Sequence, residues 1–372
     1  MSDRQSRVPA GPTVKREKSY YENWIDQEGI PIVGGLIVPD LRGDLPMKHW
    51  DRKGVAGTFL GLRGGEQSLD AYILEIPPTR NTEPEKYMFE EEYVVLSGRG
   101  ATTIWLEGGK KQTFEWQEGS VFSPPMNAWR QHFNGSPDQP VRLLVVTNAP
   151  VMFNLFRSEE FIFNCDHAFN DRFSGEEDYF SGKGEALPNL VWRSNFIPDV
   201  SNFTLKDYAW RGGGSNSKAV MFEMANNTMQ SHCAEFPVGT YKKAHRHGPG
   251  AHILILSGKG FSLMWKDDGP KEKIDWGPGS LFAPPDMWFH QHFNSGAEPS
   301  RYFAVHYGAW RVVVDYFGMA DTSTRVGGDQ IDYADEDEDI MEIFRSELAK
   351  NNATIRPVEE WRFDSLPPDE TN

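Results

Sequence analysis

Little in the sequence points to membranes, nucleic acids or a disulfide scaffold. Two cysteines, Cys165 and Cys233, occur in 372 residues, too few for the framework that holds small secreted folds together. Basic side chains are the minority: 38 Lys and Arg stand against 54 Asp and Glu, a formal charge of −16. The average surface therefore repels nucleic-acid phosphates and anionic lipid headgroups. No apolar run is long enough to span a bilayer, and the opening stretch MSDRQSRVPAGPTVKREKS lacks the apolar region of a signal segment. These absences predict a soluble, cytoplasmic protein with no nucleic-acid or membrane partner. What is abundant is apolar and aromatic: hydrophobic residues make up 38% and aromatics 13%, with 12 Trp and 24 Phe. That is too much apolar surface for a disordered chain and, at this length, enough for two ordinary domains.

The chain repeats itself at a spacing of 160 residues. Glu115 to Asn134 reads EWQEGSVFSPPMNAWRQHFN and Asp275 to Asn294 reads DWGPGSLFAPPDMWFHQHFN, identical at ten of twenty positions without a gap. The same spacing pairs Tyr93–Gly100 with Ile253–Gly260, Trp105 with Trp265, Glu75 with Glu235 and Trp50 with Trp210. Pro39-Asp40 and Pro198-Asp199 mark the start of each unit. A fused pair of like domains follows. The expected organisation is an N-terminal arm (1–34), a first barrel (35–156), a packed linker (157–194), a second barrel (195–316) and a C-terminal tail (317–372).

Within each unit the apolar runs are short, rich in Val, Ile, Phe and Trp, and punctuated by Gly and Pro, as in antiparallel sheets. The predicted class is all-β: two tandem sandwich or jelly-roll barrels in which residues two apart share a face. Peripheral helix is expected in the linker and in the tail. There the acidic run Asp335–Asp339 precedes Ile340, Ile343, Phe344 and Leu348, an apolar stripe at helical spacing with acids at the helix start.

Chemistry concentrates in the second unit. Gly239 is followed after five residues by His245, then His247, His252 and Gly258; further on come Gly279, Pro285, His290 and Asn294. Two histidines separated by one residue on a strand point to one face, where they can chelate a single ion. These runs resemble the two motifs of the cupin superfamily, G(X)5HXH(X)3-4E(X)6G and G(X)5PXG(X)2H(X)3N. The resemblance covers both repeats and implies two tandem cupin barrels. It implies also that His245, His247 and His290 converge with whatever residue takes the glutamate's place. With four intervening residues that residue is His252. Gly258 then comes one residue early, and Met287 replaces the motif's second glycine. A four-histidine metal site is the leading expectation, and three histidines with His252 standing off is the alternative. In the first unit the corresponding positions are Glu85, Tyr87, Glu92 and Arg130, which predicts a barrel without metal, unless Arg130 grips a carboxylate ligand there. His132 persists in that barrel, so its mate His292 reads as structural, with a supporting role through its ring N–H.

Strand alternation extended backwards places Tyr241 and Lys243 beside the histidines as substrate-positioning catalytic residues. His232 and Cys233 fall on opposite faces, with Cys233 read as core, as are His306 and Trp288. One divalent transition metal per chain is expected, Fe(II) first, with Mn, Ni, Co, Cu and Zn as alternatives, because imidazoles suit these ions better than Mg or Ca. Resemblance to two-barrel cupins of the gentisate-type dioxygenases implies an Fe(II)-dependent dioxygenase that takes O2 and a small anionic aromatic or enolisable substrate, working as a homo-oligomer. Those enzymes carry their metal in the N-terminal barrel, whereas here the histidines are C-terminal. The alternative is a non-redox cupin enzyme (isomerase, lyase or aminohydrolase), and a storage protein is disfavoured by the intact histidines. Oxalate decarboxylases resemble the chain less, since they keep a glutamate in each barrel.

Overall fold

A computed structural model describes residues 17–65, 68–208, 217–248, 250–267, 269–308 and 320–364. Trp210, the mate of Trp50, and Tyr316, at the expected end of the second barrel, lie outside the described residues, as do the first sixteen. Each repeat forms a large sheet facing a three-stranded one. In the first repeat the small sheet is Trp129–Asn134, Arg99–Trp105 and Gln112–Gln117; in the second it is Glu272–Trp276, Gly260–Trp265 and Phe289–Asn294. These strands are the short Val-, Ile- and aromatic-rich runs of the sequence, with inward side chains alternating with outward ones. Trp50, Phe59, Tyr72, Tyr93 and Phe122 fill the first barrel; Ala234, Ile253, Met264 and Ala304 lie in the second.

The two repeats exchange their first strands. Ile37–Val38 pairs with Leu281–Phe282 of the second barrel, and Phe196–Ile197 pairs with Val121–Phe122 of the first. The exchange is reciprocal in detail: Ser280 Oγ donates to Pro39 O and Ser120 Oγ to Pro198 O, both at 2.7 Å. Leu41 N–H likewise reaches Gly279 O and Val200 N–H reaches Gly119 O, both at 2.9 Å. Gly119 and Gly279 make this close approach with φ of +84° and +89°, a conformation that only glycine adopts cheaply. The units expected from sequence open at Gly35 and Asn195, whereas in space each barrel is completed by the other's opening strand. Between the large sheets runs one continuous apolar seam, with Leu62, Ala71, Val94 and Leu144 against Phe222, Cys233, Leu254 and Val305. Burying each such larger side chain contributes about 1.5–3 kcal/mol.

The ends of the chain act as covers. Helix Tyr20–Glu28, opened by a Ser19/Glu22 capping box, was not anticipated from sequence; its Trp24 packs on Phe153 of helix Ala149–Phe156. Helix Asp339–Lys350 lays Ile340, Phe344 and Leu348 on the outer face of the second barrel's small sheet, against Tyr241 and Phe293. Among the described residues no helix is long and apolar enough to cross a membrane.

Candidate metal centre

The segment carrying Tyr241 to His247 runs antiparallel to strand Phe289–Asn294. Tyr241 bridges to Phe293 and His245 to His290. Four steps on one side thus oppose three on the other, so one extra residue is accommodated in a β-bulge. The bulge resets the alternation of faces. Lys242, His245 and His247 line the barrel interior, whereas Tyr241 and Lys243 do not. Tyr241 donates its hydroxyl to Glu336 and packs among Tyr333, Phe344 and Trp361, and the Lys243 ammonium pairs with Asp332 at 2.8 Å. Both expected substrate-positioning residues therefore anchor the C-terminal segment instead. That segment pins the histidine-bearing stretch from outside, since Ile331 N–H donates to Ala244 O at 2.8 Å and Arg246 N–H to Asp329 O at 3.0 Å.

His245, His247 and His290 come together, with one potential ligand atom from each lying within 4.8 Å of the others. Ring centroids are 4.4 Å apart for His245–His290 and 4.9 Å for His247–His290. His245 and His290 are buried and His247 is half-buried. His245 Nδ1 faces Lys243 O and His290 Nδ1 faces Trp288 O, both at 3.1 Å. A proton on Nδ1 donated to each carbonyl leaves the Nε2 lone pairs for an ion. Metal–imidazole bonds of about 2.1 Å span at most about 4.2 Å across an ion, so a modest closing of the three rings suffices. The donor set fits a divalent transition metal.

Around the triad lies a cavity of about 30 Å³, lined also by His232, Lys242, Ala251, Ile253, Pro284, His292, Tyr302 and Ala304. No carboxylate lines it among the described residues.

No family model matches the chain. A stretch of 129 residues, 33% of the chain, is 24% identical to auxin-binding protein T85 of Nicotiana tabacum and spans 66% of that protein's length, just under two thirds. Among solved structures, a variant of Bacillus subtilis oxalate decarboxylase superposes with a TM-score of 0.48 at 14% identity, covering 81% of this chain and 86% of that one. Lactobacillus farciminis oxalate decarboxylase in a formate complex gives 0.48 at 13% identity over 73% and 87%. The fold itself rests on the paired barrels and on two histidine motifs meeting inside the second. The chain folds as two tandem β-barrels, as the cupin-like motifs of its sequence lead one to expect.

The cupin pattern also explains the largest departure from expectation. His252 is not in the cluster. Strand Ala251–Ser257 turns Ala251, Ile253 and Ile255 into the second barrel, while Leu254 enters the seam between barrels. His252, on the Leu254 side, packs on Gly65 of the first repeat, where an added Cβ would stand 2.4 Å from its Cε1. Both its ring nitrogens are buried without a hydrogen-bond partner, and burial lowers its pKa to about 4. The glutamate position of the cupin motif is therefore Ala251, with three residues between it and His247, and Gly258 then falls at its regular place. That glycine spacing was the available signal.

The first barrel needs the same one-residue correction: its inward carboxylate is Glu91, the mate of Ala251, and Glu92 instead faces Ser231 across the seam. Glu91 accepts hydrogen bonds from the hydroxyls of Tyr72, Tyr87 and Tyr93 and lies 3.4 Å from Arg130 Nη1. Lys53 Nζ reaches Glu85 at 2.8 Å and Tyr72 at 3.1 Å. Two buried cations thus neutralise two buried carboxylates where an ion would sit. Arg130 is fully buried with Glu91 as its carboxylate partner and so belongs to this internal network, and a cavity of about 10 Å³ beside Lys53, Tyr72, Tyr87 and Glu91 adjoins it. Sequence reasoning overlooked Lys53, Lys242 and Tyr302, which lie outside the motifs. His232 lines the cavity and Cys233 is buried in the seam, on opposite faces; His306 is buried with its ring 5.7 Å from that of His232, and Trp288 packs on the second barrel's core.

Proposed function

We propose that this cupin is a metal-dependent enzyme of the second barrel that acts on a small carboxylate or enolisable anion without consuming dioxygen, as a lyase, isomerase or aminohydrolase. The observation that carries this reading is the cavity: about 30 Å³ beside three imidazoles and a lysine, with no carboxylate in its described lining. One water needs roughly 10–15 Å³ of such space, so the room beside the imidazoles takes two or three water-sized groups, such as the oxygens of a small carboxylate, and not the face of an aromatic ring. A bound divalent ion would supply Lewis acidity, holding negative charge that develops on a substrate oxygen. The chain's own residues supply the rest. Nδ1 anchors on backbone carbonyls hold His245 and His290 in orientation, and the apolar side chains of Ile253, Pro284 and Ala304 restrict water.

A second reading, Fe(II)-dependent oxygen insertion, is favoured by Ala251. With no carboxylate at that place, a three-histidine centre keeps positions for both substrate and O2. Metal analysis of protein purified without added metal, followed by loading with Mn, Fe, Co, Ni, Cu or Zn, tests both. Small oxo- and hydroxycarboxylates and β-diketones are then screened by NMR with and without oxygen. Equal turnover in anaerobic buffer is the expected result. Turnover that stops without oxygen and needs Fe(II) establishes the dioxygenase in its place.

A further inference from the structure

Two hydrogen-bond donors, Lys242 and His292, line the cavity together with the three imidazoles. Lys242 is 4% exposed; its ammonium donates to Tyr302 Oη at 2.8 Å and lies 4.8 Å from the Tyr302 ring centroid and 5.3 Å from that of Phe236. The bulge that brings His245 and His247 inward brings Lys242 inward as well, so a lysine side chain shares the cavity with the three histidines.

His292 joins the same wall. Trp276 Nε1–H donates to Ser262 Oγ at 2.9 Å, and Ser262 Oγ lies 2.8 Å from His292 Nδ1. With Ser262 Oγ accepting from the indole, its own proton goes to Nδ1, and the imidazole carries its hydrogen on Nε2. The first barrel repeats the arrangement: Trp116 donates to Thr102 Oγ1, which lies 2.8 Å from His132 Nδ1. There His132 Nε2 is buried without a partner, against the Tyr93 ring at 4.7 Å. This arrangement is a fold element in both barrels, and in the second its histidine borders the cavity.

We propose that Lys242 and His292 form the anion-binding half of the site, taking a substrate carboxylate through the Lys242 ammonium and the His292 Nε2–H while the remaining oxygen functions face the three-histidine centre. The substrate class is a short-chain carboxylate with a second oxygen donor close to the first, such as a dicarboxylate or 2-oxo acid. Ammonium and imidazole donors to a carboxylate are charge-assisted and so among the stronger hydrogen bonds. The inference rests on the reading of His245, His247 and His290 as metal ligands.

The test uses the full chain loaded with Co(II), with malonate as probe and the cobalt absorption spectrum as readout of binding, alongside metal content. Lys242→Met should retain one cobalt per chain and weaken malonate binding roughly ten- to a hundredfold, while Lys242→Arg stays within a few-fold of the parent. His292→Leu should weaken malonate binding roughly tenfold, with partial rescue in His292→Gln, which keeps an N–H donor. Should Lys242→Met lose its cobalt, the His292 pair carries the same test with the ammonium in place. Cobalt-loaded parent that binds no malonate, or a cobalt-loaded Lys242→Met that binds it as tightly as the parent, overturns the anion half-site and leaves the metal centre standing. A parent that retains no cobalt overturns the centre itself and this inference with it.

Discussion

Glu91 and Ala251 stand at the same point of the two repeats, 160 residues apart, and they separate a filled barrel from an open one. Where Glu91 gathers three tyrosine hydroxyls and Arg130 around itself, the methyl of Ala251 leaves room beside three histidines.

One metal equivalent per chain is expected, because among the described residues only the second barrel brings three histidines together. His245→Ala or His290→Ala should lower metal affinity by roughly a hundredfold or more, whereas Glu85→Gln and Glu91→Gln leave it unchanged. Plasma mass spectrometry of dialysed protein reads the outcome. Two tightly held equivalents per chain would defeat the assignment.

His252→Ala should leave metal affinity and the cobalt spectrum as in the parent, since the ring packs on Gly65 rather than on the triad. Emptying that packed space should instead cost about 2–4 kcal/mol of folding stability. Denaturant melts with parallel metal titration separate the two effects. Weakened metal binding in a variant that folds fully would restore the four-histidine site.

Glu92 and His252 give the seam opposed pH dependences. Burial raises Glu92 to about 7, with the neighbouring Ser231 hydroxyl acting to lower it, and burial lowers His252 to about 4. As pH falls from 6.5 towards 4, the unfolded chain takes a proton at His252 that the folded chain refuses, so stability is lost. Between 4.5 and about 7 the folded Glu92 holds a proton that the unfolded chain has released, so stability is lost as pH rises. Glu92→Gln removes the second slope alone. Its stability should match the parent near pH 4.5 and exceed it at pH 8 by at most roughly 3 kcal/mol. A difference between parent and variant that does not change with pH would show that Glu92 titrates normally.

Arg130→Met should destabilise the first barrel by about 3–5 kcal/mol, because it strands the Glu91 carboxylate in a buried ring of phenols. Adding Glu91→Gln to that variant should recover more than half of the loss, with metal content unchanged throughout. Chemical denaturation of both variants measures the coupling. Additive losses would mean that the two groups do not depend on each other.

Much of this was legible in the sequence because repeats and motifs are matters of spacing. The 160-residue self-match divided the chain, the short aromatic strands gave the class, and the spacing of His245, His247 and His290 singled out the three side chains that meet. Facing was harder, because a strand has a period of two and one inserted residue inverts every assignment after it. The bulge between Tyr241 and His245 exchanged Lys243 for Lys242, and choosing four intervening residues over three exchanged Ala251 for His252. In the second case the regular place of Gly258 was a correction already present in the chain.

By itself, then, the sequence determined that two like barrels are fused and that one of them carries three histidines at converging positions, since both follow from residue identity at fixed separations. Only the tertiary structure decided which side chains share the cavity, that each repeat lends its first strand to the other, and that Arg130 and Lys53 fill the first barrel. Those depend on which backbones pair across long separations, and hydrogen-bond register between distant strands leaves no trace in local composition.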